Sequence, residues 1–269
     1  MFSHHFAAAG IEIALWLPPT AGFILAFVCS MVGISGAFLL MPFQMSVLGF
    51  ATPAASATNL VYNLISIPGS VWRYQKEKRL WWRLALLITV GGAPGTWVGA
   101  WVRTHHLAVR EHFEIFVALV LAYLGARMLH DILRPAAAQS GALREPPLLP
   151  LLTASFVIGV IGTIYGIGGG SFMVPILVSV FRLPVHAVAG ATLTATFLTS
   201  LFALAGYSLL PAPTGATAAP DWLLGSLFGV GGLVGGNLGA RCQRHVPQRG
   251  LKFLLAAILL GLALRYFVV

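Results

Sequence analysis

Residues 90–100 read Val-Gly-Gly-Ala-Pro-Gly-Thr-Trp-Val-Gly-Ala, and residues 230–240 read Val-Gly-Gly-Leu-Val-Gly-Gly-Asn-Leu-Gly-Ala. The common pattern V-G-G-x-x-G-x-x-x-G-A recurs at an offset of 140 (230 − 90), and self-similarity at a fixed offset marks a duplicated architecture. A second pair follows. Gly33-Ile34-Ser35-Gly36, running on to Pro42, is answered by Gly166-Ile167-Gly168-Gly169-Gly170, running on to Pro175, at an offset of 133 (166 − 33). A weaker third pair sets Ala57-Thr58 against Ala191-Thr192. The matches keep the same order along the chain, so it divides into two related halves, residues 1–135 and 150–269. Between them lies a polar linker, 136–149, with Gln139, Ser140, Arg144 and Glu145, expected on the cytoplasmic side.

The composition says where such halves reside. Hydrophobic residues make up 58% of the chain and charged residues only 9%, with a mean hydropathy of +0.88. A water-soluble domain carries about a quarter charged residues, so this chain cannot cover a wet surface. Several apolar stretches reach the roughly 20 residues that cross a bilayer as a helix. They lack period-two alternation, which leaves helices rather than a barrel. No Lys or Arg precedes the first apolar stretch, which argues against a cleaved secretory signal. The net charge of +9 sits in short loops, where it reports topology rather than nucleic-acid binding. Cys29 and Cys242 suggest neither a disulfide framework nor a metal site.

The spacing predicts helices over about 14–32, 36–50, 54–73, 81–102 and 111–133 in the first half. The second half is read as 150–166, 170–181, 186–209, 222–241 and 249–268. The segments 36–50 and 170–181 are too short for a comfortable span, so charge must say whether they cross. If neither crosses and the N-terminus is cytoplasmic, 9 of the 16 Lys and Arg residues lie inside and 7 outside, the latter including Arg241, Arg244, Arg249 and Lys252. If each returns across the membrane, as a hairpin or re-entrant element, and the N-terminus is outside, only Arg103, Arg110 and Arg265 lie outside; the other 13 (16 − 3) lie inside. Lys/Arg bias favours the second arrangement. With five elements per half the halves then run antiparallel, as an inverted repeat, and both termini are outside. The expected fold is an all-α polytopic membrane protein of two inverted repeats, each a Gly-broken helix hairpin plus three transmembrane helices.

In transporters built this way the substrate sits near the midplane, where helices break. The candidate binding residues are therefore Gly33, Ser35, Gly36 and Ala37 at the first break, and Gly166, Gly168, Gly169, Gly170 and Ser171 at the second. Glycine lets the backbone take unusual angles and expose its amides. A short helix beginning just after each break turns free N–H groups and its positive end toward it, an anion site that needs no charged side chain. Pro42 and Pro175 would bend or end those short helices. Beside the breaks, Thr58, Asn59 and Asn63 open one helix and Thr192 and Thr196 open its counterpart. The members of Asn59/Asn63 and of Thr192/Thr196 are four apart and share a helix face. For the V-G-G-x-x-G-x-x-x-G-A stretches, close helix packing is the better reading. For the two breaks it is binding, because clustered glycines before a short segment ending in Pro exceed packing needs. A membrane Thr more commonly bonds its own helix carbonyl, whereas an Asn without a partner in hydrocarbon is costly.

All seven acids, Glu12, Glu77, Glu111, Glu114, Asp131, Glu145 and Asp221, fall near helix ends or in loops. No carboxylate, Lys or Arg is expected at mid-membrane, which disfavours cation transport and a buried proton relay. His186, after Arg182 and Pro184, reads as a capping or interfacial residue. Gly33-Ile34-Ser35-Gly36 has the G-x-S-G form of an intramembrane serine protease, but no His lies in the apolar centre of a helix to activate the Ser. The remaining alternatives are a passive anion channel and a membrane protein with a structural role.

Residues 166–175, Gly-Ile-Gly-Gly-Gly-Ser-Phe-Met-Val-Pro, followed by Ala-Gly-Ala-Thr at 189–192, resemble the signature of the TauE/SafE sulfite exporters. Residues 33–42, Gly-Ile-Ser-Gly-Ala-Phe-Leu-Leu-Met-Pro, look like a degenerate copy, and Gly91-Gly92-Ala93-Pro94-Gly95 also fits. The likeness extends over about residues 20–268. Ser35 and Ala37 stand where glycines are common in that family, so the two breaks need not contribute equally. The resemblance implies an inner-membrane carrier that exports sulfite or a related sulfur-containing or organic anion. Its partners would be that anion and the lipid bilayer, with no nucleic acid, no cofactor and no metal. A homo-oligomer stays open.

Overall fold

The computed structural model describes residues 3–31, 34–133, 145–183, 185–210, 218–242 and 248–268. Gly33, Gln139, Ser140, Arg144, Pro184, Arg244 and the His186 side chain lie outside the described residues.

The chain opens with a feature absent from the sequence reading. Strands β1 (Ser3–Phe6) and β2 (Ile11–Ala14) pair antiparallel, Ser3 opposite Ala14. Gly10 turns the hairpin with φ +65° and donates its N–H to the Phe6 carbonyl at 2.8 Å. Phe6 is buried, which ties the hairpin to the helical core. The first helix therefore starts at Leu17, not near residue 14.

Eleven helices follow among the described residues. The first half holds α1 (Leu17–Met31), α2 (Ala37–Ser46), α3 (Pro53–Ser66), α4 (Pro68–Lys76), α5 (Trp82–His105) and α6 (Arg110–Leu133). The second holds α7 (Leu148–Tyr165), α8 (Met173–Ser179), α9 (Val185–Leu209), α10 (Trp222–Cys242) and α11 (Gln248–Val268). Six of them, α5 to α7 and α9 to α11, contain spans long and apolar enough to cross a bilayer. The protein is an all-α polytopic membrane protein. The predicted helix over 54–73 is two helices, α3 and α4, divided at Pro68, whose missing N–H and ring interrupt the ladder; Ile67 still donates to the Asn63 carbonyl at 3.1 Å, so the axis bends without unwinding.

The Gly-rich stretches fix how the helices pair. On α10, Gly231, Gly235 and Gly239 lie against the carbonyls of Pro19, Phe23 and Phe27 on α1. On α5, Gly91, Gly95 and Gly99 lie in the same way against Leu152, Phe156 and Val160 of α7. A Cβ at Gly235 would sit 2.1 Å from the Phe23 oxygen, and one at Gly95 would sit 2.2 Å from the Phe156 oxygen. Only glycine allows backbones this close, so packing is what these stretches do.

The order of these contacts also gives helix direction. Contact positions rise together along α1 and α10, and along α5 and α7, so both pairs are parallel. Gly225 lies against Val61 and Gly229 against Ile65, making α3 parallel to α10. Gly92 meets Thr199 and Gly206 meets Ala100, making α9 parallel to α5. It follows that α1 is parallel to α3, and α7 to α9. Between each parallel pair the chain must return to its starting side. It does so through α2 and α8, whose 10 and 7 residues give about 15 and 10 Å of helix, well short of a bilayer core of about 30 Å. Finally, Gly190 near the start of α9 lies against Tyr74 in α4 and Leu80 just beyond it. Thus α9 begins where the α3–α4 run ends, and the two parallel groups oppose each other.

Candidate functional site

Helix α3 runs past both breaks and is tied to each by one asparagine. The Asn59 side-chain amide donates to the Ala37 carbonyl at 3.1 Å, at the start of α2. One turn further on, the Asn63 amide donates to the Ile167 carbonyl at 2.8 Å, inside the second break. Both side chains are wholly buried, and both Oδ1 atoms lack a protein partner. Ser56, one turn earlier on the same face, donates to the Ile164 carbonyl at 2.8 Å.

The two broken segments also touch directly. Pro42 has no N–H to offer the carbonyl four residues back, which is that of Phe38. That carbonyl instead accepts the Tyr165 hydroxyl at 2.7 Å. The Phe38 ring meets Phe172 edge-on, centroids 5.2 Å apart. Pro42 therefore does not end α2, which continues to Ser46. Pro175 falls at the third position of α8, where the N–H would have no helical partner anyway, and that helix continues to Ser179.

The second break is shaped by two left-handed glycines, Gly166 (φ +85°) and Gly168 (φ +79°). Gly166 closes α7: its N–H bonds the Thr163 carbonyl and the Ile167 N–H reaches back to Gly162 at 2.8 Å, the paired closure expected of a glycine-capped helix. Gly169 donates to the Thr199 hydroxyl at 3.0 Å. Gly170 is wedged against α9, where a Cβ would lie 2.2 Å from the Thr192 oxygen. Beyond it the amides of Gly170, Ser171 and Phe172 hydrogen-bond to nothing among the described residues. The first break differs. Gly36 is right-handed, φ −58°, and its lack of a side chain makes room for Ala26 and the Tyr62 hydroxyl. The Ala37 N–H bonds the Ser35 hydroxyl at 3.3 Å.

The structure thus gathers Ala37, Asn59, Asn63 and Gly166 around one face of α3, while Gly168, Gly169, Gly170 and Ser171 of the second break pack against α9 at Thr192, Thr196 and Thr199. Ser171 and Thr196 hydroxyls are 3.1 Å apart. Thr192 and Thr196 bond carbonyls of their own helix, Val188 at 3.1 Å and Thr192 at 2.8 Å. Thr58 is not part of the group: its hydroxyl accepts from the Asp221 N–H at 2.9 Å, at the start of α10.

Other residues here were not singled out by the sequence. Arg103, expected among the basic residues outside the membrane, is fully buried in α5. It donates to Ser56 Oγ at 3.1 Å, to the Ala51 carbonyl at 2.7 Å and to the Leu107 carbonyl, and its guanidinium lies 3.5 Å from the Phe113 ring centre. Ser56 passes this contact on to Ile164 at the second break. Gln44, on α2, is wholly buried with neither amide atom partnered in the protein. Ser56, Asn59 and Asn63, spaced i, i+3, i+7, formed a polar stripe that was readable in sequence, and Gln44 is a lone amide in an apolar run.

A multi-pass helical membrane protein, with two interrupted segments meeting at one buried polar face, has the construction of a membrane transporter. The chain matches the family model described as sulfite exporter TauE/SafE over residues 20–266. It belongs to that family. Among similar proteins, the probable membrane transporter protein YunE of Bacillus subtilis (strain 168) is 26% identical, the match covering 89% of this chain and 92% of that protein. The probable membrane transporter protein y4hK of Sinorhizobium fredii (strain NBRC 101917 / NGR234) is 27% identical over 94% of this chain and 95% of its own length. YjnA of Bacillus subtilis, also a probable membrane transporter protein, is 28% identical over 89% and 94%. No solved structure matches the chain.

Proposed function

We propose that this transporter exports a small oxyanion, sulfite or a related sulfur-containing or organic anion, across the inner membrane, binding it where the two breaks meet on α3. The observation that carries the reading is the pair Asn59 and Asn63, one holding each break and each with a buried oxygen left over. The free amides of residues 170–172 add donors on the second side. Membership of a family described as sulfite exporters gives the substrate class. No enzymatic step is part of this reading: the Ser35 hydroxyl accepts from the Ala37 amide, an ordinary turn contact.

Helix directions support two inverted repeats, 1–135 and 150–269. Exchanging the halves exchanges α1–α10 with α7–α5 and α3–α10 with α9–α5. With 13 of 16 basic residues assigned inside, both termini are outside. Single cysteines in a background lacking Cys29 and Cys242 test this. Position 213 should label from outside, and positions 76 and 244 only after the membrane is opened; external labelling at 244 would overturn the arrangement.

The site itself is tested at Gly169. A Cβ there meets Gly159 Cα at 3.2 Å and Thr199 Cγ2 at 3.7 Å, so the neighbours must give by a few tenths of an ångström, far less than the 2.2 Å contact at Gly170 would demand. Gly169→Val should leave the protein folded in the membrane while sulfite flux falls about ten-fold or more, since small displacements at a positioned site carry large penalties. Unchanged flux would remove the second break from the site.

A further inference from the structure

From the same two asparagines we infer that the anion bound between the breaks carries a hydrogen-bond donor: a protonated oxyanion of the hydrogensulfite type, or a hydroxyl-bearing sulfonate. This rests on the proposed site and specifies its substrate. An asparagine amide is usually ambiguous end for end, but here the network decides. Ala37 and Ile167 present carbonyl oxygens, which only accept, so each asparagine must face them with its NH2. The oxygen on the same planar amide is then an acceptor, wholly buried and without a protein partner.

The hydroxyls packed on the breaks do not turn to these oxygens. Ser56 donates to Ile164, Tyr165 to Phe38, Thr196 to Thr192 and Ser200 to Thr196, all backbone carbonyls. Two acceptors one turn apart therefore wait at the junction of the breaks. A fully deprotonated oxyanion would set its own lone pairs against theirs in a low-dielectric surrounding, and a buried polar group left in that state is costly. An O–H on the anion satisfies one of these oxygens and keeps the anion's own lone pairs from facing it. A site built to bond a hydroxyl discriminates strongly against the analogue lacking it.

Methanesulfonate and hydroxymethanesulfonate separate this cleanly, because both are permanent monoanions and differ by one O–H. Each is added as a competitor of sulfite flux in proteoliposomes holding the full chain, with the rate of protein-free vesicles subtracted. Hydroxymethanesulfonate should compete at about ten-fold lower concentration. The difference should shrink in Asn63→Leu, and a difference unchanged there overturns the assignment of Asn63 Oδ1 as an acceptor of that O–H. Equal competition, or better competition by methanesulfonate, overturns the donor requirement while leaving anion transport standing. A protein that moves no sulfite at all overturns both readings.

Discussion

Gly235→Leu should destabilise the protein severely and lower its melting temperature far below that of the unaltered chain. The α1–α10 seam is made of three successive glycines set against backbone carbonyls, and at Gly235 an added Cβ meets the Phe23 oxygen at 2.1 Å. The obstacle is backbone, so no rotamer change relieves it; α1 itself must retreat. Overpacking a rigid site usually costs about 1–3 kcal/mol and sometimes more. Here the retreat also opens the contacts at Gly231 and Gly239, so a loss of about 3–5 kcal/mol is expected against a total stability of about 5–15 kcal/mol. The control is next door. Gly236 has nothing within 4 Å of where a Cβ would stand, and Gly236→Ala should be neutral or stabilising by about 0.5–1 kcal/mol, the ordinary helix gain. Thermal denaturation of the detergent-purified variants compares them. Equal melting of the two would show that the seam tolerates separation.

The second large effect is expected at Arg103→Leu. Its guanidinium satisfies two backbone carbonyls and the Ser56 hydroxyl at once while lying over Phe113. None of those contacts is a carboxylate, so the charge is held by dipoles and a ring face. Removing it strands the acceptors in a buried place, at about 1–3 kcal/mol each when nothing replaces the donor. The sum should come to about 3–5 kcal/mol of lost stability, in the range seen when a buried charge contact is broken. Arg103→Lys keeps the charge but not the planar fork that reaches several oxygens, and should recover only part of the loss. Full recovery by Lys would mean that charge, not hydrogen-bond geometry, matters at this position.

Much of the fold was legible because bilayers enforce simple rules. Long apolar runs became, among the described residues, six helices long and apolar enough to span, and the repeated V-G-G-x-x-G-x-x-x-G-A stretches became two seams of backbone contact, since only glycine permits that approach. What the sequence did not reveal depended on distant partners. The N-terminal hairpin rests on four-residue strands, too short for their pattern to stand out. Pro68 divides a helix that reads as one because the bend leaves apolar periodicity intact. Arg103 was misplaced for a sharper reason: charge near a helix end normally means a loop, and it takes the distant Ala51 carbonyl, the Leu107 carbonyl, the Ser56 hydroxyl and the Phe113 ring together to make burial tolerable. At the candidate site, Asn59 and Asn63 were readable as costly amides, but not that one would hold each break. The break glycines divide by task in a way sequence could not show, Gly166 and Gly168 for left-handed angles and Gly36 and Gly170 for close approach.

The central claim is that two broken segments meeting on α3 form a pathway for a sulfite-like anion. Purified protein in proteoliposomes preloaded with sulfite tests it most directly, by the rate at which sulfite appears outside. The account predicts efflux well above that of protein-free vesicles, saturating as internal sulfite rises. Efflux equal to that of protein-free vesicles would contradict it.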